Sequence, residues 1–343
     1  MRPITYAVPK QLIPVANKPV INYAFDAMRE VGIKDIGIVV SDNRKDIEPA
    51  LGDGKRFGIK LTYVDQPRTL GIAHAVLCAE EFIGKSDFML YLGDNLLENG
   101  LKGVAAAFRK DKPDSTIVLK EVPDPTHFGV AEIKGGRIAS IVEKPKNPKS
   151  NLAVIGVYIF KSGVFEAAKR IKPSGRGEYE ITDTIAEMIK MGLKVEPHVL
   201  EGWWKDTGQK MDMIEANRAL LDGIRRGVKG KVDESSRITG KVVVEKGAEV
   251  SRSRIEGPVV VGSGAKISGS QVGPYTAVGE NVVLDGCRIE NSIVMEGTRI
   301  SGVSTLIESS LIGRDAVIEG RAGAGESIDL TIGDKCRVLI KAK

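Results

Sequence analysis

The stretch Val261–Leu284, VGSGAKISGSQVGPYTAVGENVVL, decides the fold of the C-terminal part of this chain. Aliphatic side chains recur in it at intervals of six residues, and glycine follows several of them. The aliphatic positions are Val261 and Ile267, then Val272, Val278 and Leu284. A six-residue period with one aliphatic residue per repeat predicts a β-solenoid, in which equivalent side chains of successive coils stack inside the coil.

The same spacing continues towards the C-terminus. Further members are Val294 and Ile300, then Leu306, Ile312 and Ile318, and finally Ile332 and Val338. The stretch Ala322–Asp329 interrupts the pattern, and we predict a loop there. The pattern resembles the left-handed β-helix of hexapeptide-repeat proteins, and we assign residues 229–343 to such a domain. Solenoid ends expose strand edges, so we also expect a homo-oligomer.

Residues 1–228 instead alternate strand-like and helix-like segments. The strand-like segments include Asp35–Val40, Leu61–Val64, Phe88–Leu92 and Ser115–Lys120. The helix-like segments include Pro19–Val31, Lys45–Leu51, Ala73–Phe82 and Leu101–Lys110. This alternation predicts an α/β, Rossmann-like domain with a mostly parallel sheet. Such sheets bind ligands beyond the carboxyl ends of their strands, so functional residues should follow the strands.

Composition excludes several classes of function. The net charge of +5 comes from 50 basic and 45 acidic residues, and they form no basic stripe, which argues against nucleic acid as a partner. No apolar run reaches the ~18 residues that a membrane-spanning helix needs. The three cysteines are far apart and form no CxxC pair. A reducing, cytoplasmic setting is therefore expected.

Two carboxylates follow strand-like segments and are candidates for a metal site. Asp94 comes directly after the apolar strand Phe88–Leu92, and Asp206 follows the paired tryptophans of Trp203–Gly208. Two acids from separate strand ends can hold one Mg²⁺, which takes its remaining ligands from water and phosphate oxygens. A plain turn at Asp94 and core packing of the tryptophans are the structural alternatives.

Three basic side chains could contact phosphate groups. Lys144 follows the strand-like segment Arg137–Ile141, Lys10 lies between two prolines, and Arg176 precedes a helical pattern. Each could bind a phosphate as a positive charge. The alternative for both lysines is an ordinary solvated side chain.

A nucleobase could bind near Gln66 and Gly71. An amide at a strand end offers both a donor and an acceptor to a pyrimidine edge, and a glycine permits close approach ahead of a helix. We assign no role to His74, which lies inside that helix. In the segment after Arg176, Glu178 or Glu180 could bind a sugar hydroxyl.

The order of these motifs along the chain resembles that of the glucose-1-phosphate thymidylyltransferases. The motifs are Pro9-Lys10, Gln66-Pro67, Gly71, Gly93-Asp94, Phe128-Gly129-Val130, Glu143-Lys144-Pro145, Glu178–Asp183 and Asp206-Thr207-Gly208. The resemblance covers almost all of residues 1–228. With the added solenoid, the chain resembles the long form of that family.

The resemblance implies a site and a reaction. It implies nucleobase contacts by Gln66 and Gly71, Mg²⁺ binding by Asp94 and Asp206, phosphate contacts by Lys10 and Lys144, and a sugar-phosphate pocket with Gly129, Glu143 and Arg176. The implied substrates are a nucleoside triphosphate and a sugar-1-phosphate, which would give a nucleotide sugar and pyrophosphate. The choice between dTTP and UTP rests on one methyl group and stays open.

The family's motif also includes a short strand and a glycine-rich turn before the segment that here begins at Thr5. We expect that this sequence starts too late and that the chain as given is poorly active. A regulatory subunit without catalysis is one alternative. An acetyltransferase is another, although His198, the last histidine, precedes the solenoid and leaves it without this common general base.

Overall fold

The structure, a computed structural model, describes residues 2–320 and 327–340. Its contacts divide the chain into two compact units. One unit is Tyr23–Trp204, called here the sheet unit. The other combines Met1–Asn22 with Lys205–Lys343 and is called the solenoid unit. The domain boundary expected after residue 228 falls within the solenoid unit and stays a prediction.

The helices follow the apolar periodicity of the sequence. The α-helices are α1 Val20–Glu30, α2 Arg44–Leu51, α3 Ile72–Cys78, α4 Glu80–Ile83, α5 Lys102–Asp111, α6 Gly163–Arg170, α7 Ile181–Lys190 and α8 Lys210–Asp222. Short 3₁₀ helices span Ile4–Tyr6, Lys10–Leu12 and Lys55–Phe57. The helix expected over Ala73–Phe82 is divided in the structure into α3 and α4, with Ala79 between them.

The strands before the solenoid lie close to their predicted positions. They are β1 Pro14–Val15, β2 Lys18–Pro19, β3 Asp35–Val40, β4 Lys60–Asp65, β5 Phe88–Tyr91, β6 Asn95–Leu97, β7 Ser115–Glu121, β8 Gly129–Lys134, β9 Arg137–Glu143, β10 Leu152–Phe160, β11 Val195–Val199 and β12 Trp204–Asp206. The prediction for β3 has the observed bounds, and β4, β5 and β7 differ from theirs by a residue or two at their ends.

The main sheet of the sheet unit has the strand order β11-β7-β10-β8-β9, and β5 also pairs with β10. Parallel pairing, as expected, joins β7 to β11 and β3 to β4. β10 is antiparallel to β5, β7 and β8. It follows the antiparallel hairpin β8–β9, and the connection from β9 contains no crossover helix of the kind that parallel neighbours require. The sheet is therefore a Rossmann-like sheet with two reversed strands, β10 at its centre and β9 at its edge, and its antiparallel pairings outnumber the parallel pairing of β7 with β11.

The solenoid consists of three parallel sheets. Its strands are β13 Gly227–Val228, β14 Lys231–Val232, β15 Arg237–Thr239, β16 Val242–Val244, β17 Glu249–Ser251, β18 Arg254–Glu256, β19 Val259–Val261, β20 Lys266–Ser268, β21 Gln271–Val272, β22 Thr276–Val278, β23 Val283–Asp285, β24 Arg288–Glu290, β25 Ile293–Val294, β26 Arg299–Ser301, β27 Leu306–Glu308, β28 Leu311–Ile312, β29 Val317–Gly320, β30 Ser327–Ile328, β31 Thr331–Ile332 and β32 Arg337–Ile340. Each strand pairs with its equivalent one coil further along the chain.

The predicted stacking of aliphatic residues is confirmed. Val244, Val261, Val278, Val294, Ile312 and Ile332 are partners in register along one sheet, and all are buried. This parallel β-solenoid is consistent with the left-handed β-helix that the resemblance implied. Equivalent residues of the first coils are 17 apart. Each of these coils makes three steps along the chain, one to each sheet, so one of the three is shorter than six residues.

One inward position was predicted wrongly. Leu306 fits the six-residue spacing, but Ile307 is the fully buried residue and it stacks on Ile289. The turn before β27 has four residues, 302–305, whereas the equivalent turn before β24 has two. The inward residue therefore falls one position later than the six-residue spacing predicts, and a shift of one residue in a strand exchanges the two faces. Of the loop expected over Ala322–Asp329, residues 322–326 lie outside the described residues, while Ser327–Ile328 is strand β30.

One outer face of the solenoid is apolar. Its residues include Val260, Ala277, Ile293 and Leu311, which are all buried although they do not point into the coil. Leu221 of α8 packs against this face with Ala16 and Ile224. Asn217 donates to the Tyr275 carbonyl over 2.9 Å, and Asn17 donates to the Val278 carbonyl over 2.7 Å. Residues 2–22 and helix α8 therefore belong to the solenoid unit because they cover this face.

Candidate active site

Gln66 and Gly71 lie together at the end of β4. The side-chain nitrogen of Gln66 donates to the Gly71 carbonyl over 3.1 Å. The same nitrogen lies 3.1 Å from Nδ1 of His74 in α3. Gly71 is in a backbone conformation with φ of +99° that favours glycine. The two residues expected to contact a nucleobase are therefore in direct contact with each other.

Tyr179, from another part of the chain, packs against the segment around Gly71. A Cβ atom on Gly71 would lie 2.6 Å from the Tyr179 carbonyl oxygen, closer than atoms tolerate. The Tyr179 amide donates to the Leu70 carbonyl over 2.7 Å, and the Ala73 amide donates to the Tyr179 carbonyl over 3.1 Å. These two bonds tie the segment around Gly71 to the segment that carries Arg176.

Gly129 and Glu143 are opposite each other on β8 and β9. Thr182, in the first turn of α7, donates through Oγ1 to a Glu143 carboxylate oxygen over 3.1 Å. A Cβ atom on Gly129 would lie 2.6 Å from Cγ2 of Thr182 and 3.3 Å from that same carboxylate oxygen. A glycine is therefore needed here so that Glu143 and Thr182 can meet over the strand.

Arg176 binds carboxylates in this structure. Its guanidinium donates to Glu180 over 2.8 Å and to Glu143 over 3.3 Å. Ser174 also donates to Glu180, over 2.7 Å. The structure thus brings Glu143, Gly129 and Arg176 together, as the resemblance implied, and adds Glu180 and Thr182 to the group. The phosphate contact expected of Arg176 stays a prediction.

Electrostatics at this cluster oppose full ionisation of its carboxyl groups. Burial, followed by the negative charge of Glu180, raises the pKa of Glu143, and the Thr182 hydroxyl and the Arg176 charge only partly offset this. Burial and Glu180 also raise the pKa of Asp183. The hydrogen bond to Glu180 raises the pKa of Arg176, which keeps the guanidinium charged. Several carboxyl groups therefore lie close together and share the positive charge of one guanidinium, that of Arg176.

Asn95 organises the segment that carries Asp94. Its side-chain nitrogen donates to Asp94 over 2.9 Å, and its side-chain oxygen accepts from the indole nitrogen of Trp204 over 2.6 Å. The Trp204 ring packs edge-on against Phe128, with the ring centroids 5.2 Å apart. Because Phe128 directly precedes Gly129, this chain of contacts runs from Asp94 to the Glu143 cluster within the sheet unit.

The remaining predicted residues lie at defined places. Lys144 follows β9 with φ of 41°, and its amide donates to the Phe128 carbonyl over 3.0 Å. Lys10 begins a 3₁₀ helix, and Asp206 ends β12; both belong to the solenoid unit. Across the described residues, no group of three or more His, Cys, Asp or Glu side chains could hold a metal ion.

Several residues that make the contacts described above were not predicted from the sequence. Asn95 and Thr182 were not singled out from the sequence, and His74 had no assigned role. Trp204 was noted only as a neighbour of Asp206. Thr182 and the pair of Asn95 and Trp204 act through partners distant in sequence, and His74 acts on Gln66, which lies outside its helix. No local pattern could therefore identify them. In the part of the chain that the structure describes, no helix is long and apolar enough to cross a membrane.

A match to a protein-family model decides to which family this chain belongs. The model of the family described as "Nucleotidyl transferase" matches residues 1–223. The chain belongs to the nucleotidyl transferase family. A second model, the "GMPPB C-terminal domain", matches residues 255–338, within the solenoid.

Known relatives agree with this membership of the nucleotidyl transferase family. A glucose-1-phosphate thymidylyltransferase of Streptomyces griseus is 45% identical over 343 residues, which is 100% of this chain and 96% of the relative. A crystal structure from Bacillus anthracis, described as a glucose-1-phosphate thymidylyltransferase in complex with sucrose, has 37% identity and a TM-score of 0.61. It matches 66% of this chain and 92% of its own. A UDP-glucose pyrophosphorylase complexed with UDP-glucose has 29% identity and a TM-score of 0.58, over 65% of this chain and 94% of its own.

Proposed function

We propose that this protein transfers a nucleotidyl group from dTTP to glucose-1-phosphate, which yields dTDP-glucose and pyrophosphate. The observation that carries the proposal is the 45% identity with a glucose-1-phosphate thymidylyltransferase along the whole chain. The cluster of Gly129, Glu143, Thr182 and Arg176 supports it, because a carboxylate held by two donors has lone pairs left for sugar hydroxyls.

The reaction would be an in-line displacement. An oxygen of the sugar-1-phosphate forms a bond to the α-phosphorus, and the bond from that phosphorus to pyrophosphate breaks. The protein contributes positioning and positive charge rather than a covalent intermediate. Gln66 and Gly71 would hold the nucleobase, while Lys10 and Lys144 would contact phosphates. Glu143 would orient the sugar, with Arg176 beside it.

Mg²⁺ is the proposed cofactor. Asp94 and Asp206 would hold it, and as a Lewis acid it would neutralise negative charge on the phosphate oxygens. The donor set fits this hard cation, which binds proteins through one or two carboxylates and takes its remaining ligands from phosphates and water. Asn95, which donates to Asp94, would keep that carboxylate in a defined orientation.

The test is an assay of pyrophosphate release by the purified chain with glucose-1-phosphate, Mg²⁺ and either dTTP or UTP. We expect slow product formation with dTTP, and Asp94→Asn should lower that turnover by orders of magnitude. Preference for UTP would favour a uridylyltransferase, which the likeness to the UDP-glucose pyrophosphorylase supports as the second candidate. Absence of product with either nucleotide would contradict the proposal and favour a regulatory protein. Near-wild-type turnover of Asp94→Asn would refute the metal assignment alone.

We also propose that the chain forms a homo-oligomer through its solenoid and works in the cytoplasm. The open strand edges of a solenoid favour self-association. Light scattering coupled to size-exclusion chromatography measures the mass of the particle directly. A mass of one chain, 36.9 kDa, over a range of concentrations would contradict self-association.

A further inference from the structure

We propose that His74 is a positioning residue that fixes the side-chain amide of Gln66 and thereby selects the class of nucleobase. The proposal rests on the proposed function, in which Gln66 contacts the base of a nucleoside triphosphate. It adds a role for His74 and a physical basis for discrimination between uracil or thymine and cytosine.

The Gln66 side-chain amide has one orientation, which the Gly71 carbonyl sets. Its nitrogen lies 3.1 Å from the Gly71 carbonyl oxygen, which can only accept a hydrogen bond. An amide turned the other way would place two oxygens against each other. The Gly71 carbonyl therefore requires the NH₂ group of Gln66 on its side.

The other hydrogen of that NH₂ group is donated to His74. The same nitrogen lies 3.1 Å from His74 Nδ1. Because the amide nitrogen is a donor, Nδ1 must accept, and the imidazole is then the neutral tautomer with its proton on Nε2. Both amide hydrogens of Gln66 are thus engaged by the protein.

His74 packs against Tyr179, which holds the imidazole in place. Its ring stacks on Tyr179, with centroids 6.4 Å apart and planes inclined by 28°. Tyr179 is itself held by backbone hydrogen bonds to Leu70 and Ala73. The imidazole therefore packs on a residue that is hydrogen-bonded to both sides of Gly71, and Nδ1 has a defined position relative to Gln66.

The consequence is that Gln66 presents only an oxygen to a ligand. Among the described residues, its Oε1 atom has no hydrogen-bond partner. Uracil and thymine carry an N3–H that donates to such an oxygen, whereas N3 of cytosine is an acceptor and would be repelled. A free glutamine could rotate its amide and serve either base, but an amide fixed by Gly71 and His74 cannot. His74 thereby makes Gln66 selective.

The experiment measures the dissociation constants of UTP and CTP for the full chain by calorimetry in the presence of Mg²⁺, with dTTP and dCTP as a second pair. We expect the wild type to prefer UTP and dTTP. His74→Leu removes the acceptor for one amide hydrogen, so the preference should fall about 3- to 10-fold, the range expected for one hydrogen bond. His74→Asn, whose Oδ1 can occupy the place of Nδ1, should restore the preference. His198→Leu, on β11, is the matched control and should leave it unchanged.

The outcomes separate this inference from the proposed function. A wild-type chain that binds neither dTTP nor UTP contradicts the proposed function. A chain that binds them but keeps its full preference after His74→Leu overturns the role of His74. If His74→Leu does not fold, ¹⁵N spectra of the imidazole nitrogens decide, because the chain has only three histidines. An unprotonated Nδ1 and a protonated Nε2 on His74 support the inference, and a protonated Nδ1 overturns it.

Discussion

The two units of this protein use the same residue types for different purposes. In the sheet unit, Gly129 leaves room for two functional side chains, since a Cβ there would collide with Thr182. In the solenoid unit, Gly262 leaves room for the backbone of the next coil, and a Cβ there would lie 2.8 Å from the Glu280 amide nitrogen. Glycine thus permits contact between functional side chains in the sheet unit and close packing of successive coils in the solenoid unit.

Buried polar side chains show the same difference. In the solenoid unit, Ser270 donates to the Ser268 carbonyl and accepts from the Cys287 amide of the next coil. Ser253 and Ser310 make equivalent bonds, so these hydroxyls satisfy the backbone at a corner. In the sheet unit, the buried Glu180 and Thr182 bind other side chains. Buried polar residues bonded to charged side chains, rather than to the adjacent backbone, therefore indicate the site.

The largest effect should come from a charge inside the solenoid. Leu284 is fully buried, and Asp at this position would be an unpaired buried charge that costs several kcal/mol. The neighbouring Val283 points outward between Lys266 and Arg299, which are its strand partners. Leu284→Asp should thus abolish cooperative unfolding of the solenoid, and Val283→Asp should leave it intact. Circular dichroism during thermal unfolding measures both, and equal effects would contradict the assigned faces.

The next effect concerns the sheet unit. Gly129→Ala should force Glu143 and Thr182 apart and cost about 1–3 kcal/mol of stability through overpacking. If Glu143 orients the sugar, the KM for glucose-1-phosphate should rise more than the KM for the nucleotide. Gly227→Ala is the control, because a Cβ there meets none of the described atoms within 4 Å. Equal increases in both KM values would argue against a sugar pocket at Gly129.

A smaller effect should follow loss of one serine hydroxyl in the solenoid. Ser270→Ala leaves the buried Cys287 amide without its acceptor, which should lower the free energy of unfolding by about 1–2 kcal/mol. Ser268→Ala, on the partly exposed face of the same coil, removes only a hydrogen bond to Asp285 and should cost less than about 1 kcal/mol. Denaturant unfolding followed by circular dichroism compares the two. A larger loss for Ser268→Ala would mean that the corner hydroxyls do not satisfy the backbone.

The smallest effect should be a pH dependence that arises from Glu143. Its pKa is raised in the folded state, so its protonated form stabilises the fold below the ordinary value near 4.5, and this contribution is lost as pH rises through the folded pKa. Glu143→Gln lacks this titration. The stability of the wild type relative to Glu143→Gln should therefore decrease from pH 4.5 towards neutral pH, as thermal unfolding at several pH values would measure. A constant difference would mean that the carboxyl is not perturbed.

Prediction from the sequence was most successful where structure repeats. The solenoid positions Val261, Val278 and Ile312 could be identified because each is surrounded by near-identical repeats. Leu306 was misassigned because the turn before β27 has two more residues than the equivalent turn before β24, and no local pattern predicts the longer turn. The reversed strand β10 was not predicted either, because a strand pattern carries no information about its direction.

The site was predicted only through individual motifs. Gln66 was proposed from its place at a strand end, whereas Glu143 and Gly129 were proposed from the order of the motifs and its resemblance to a family. Thr182 and His74 were not identified, since each acts on a residue that is not its neighbour on the strand or helix.

The amino-acid sequence alone determined the solenoid, the alternating α/β pattern and the family, because these depend on periodicity and on the order of short motifs. The tertiary structure alone decided which side chains touch. It placed Thr182 on Glu143, Trp204 on Asn95 and His74 on Gln66. The physical reason is that backbone patterns follow from local spacing, whereas hydrogen bonds between distant side chains exist only once the strands and helices that carry them have packed.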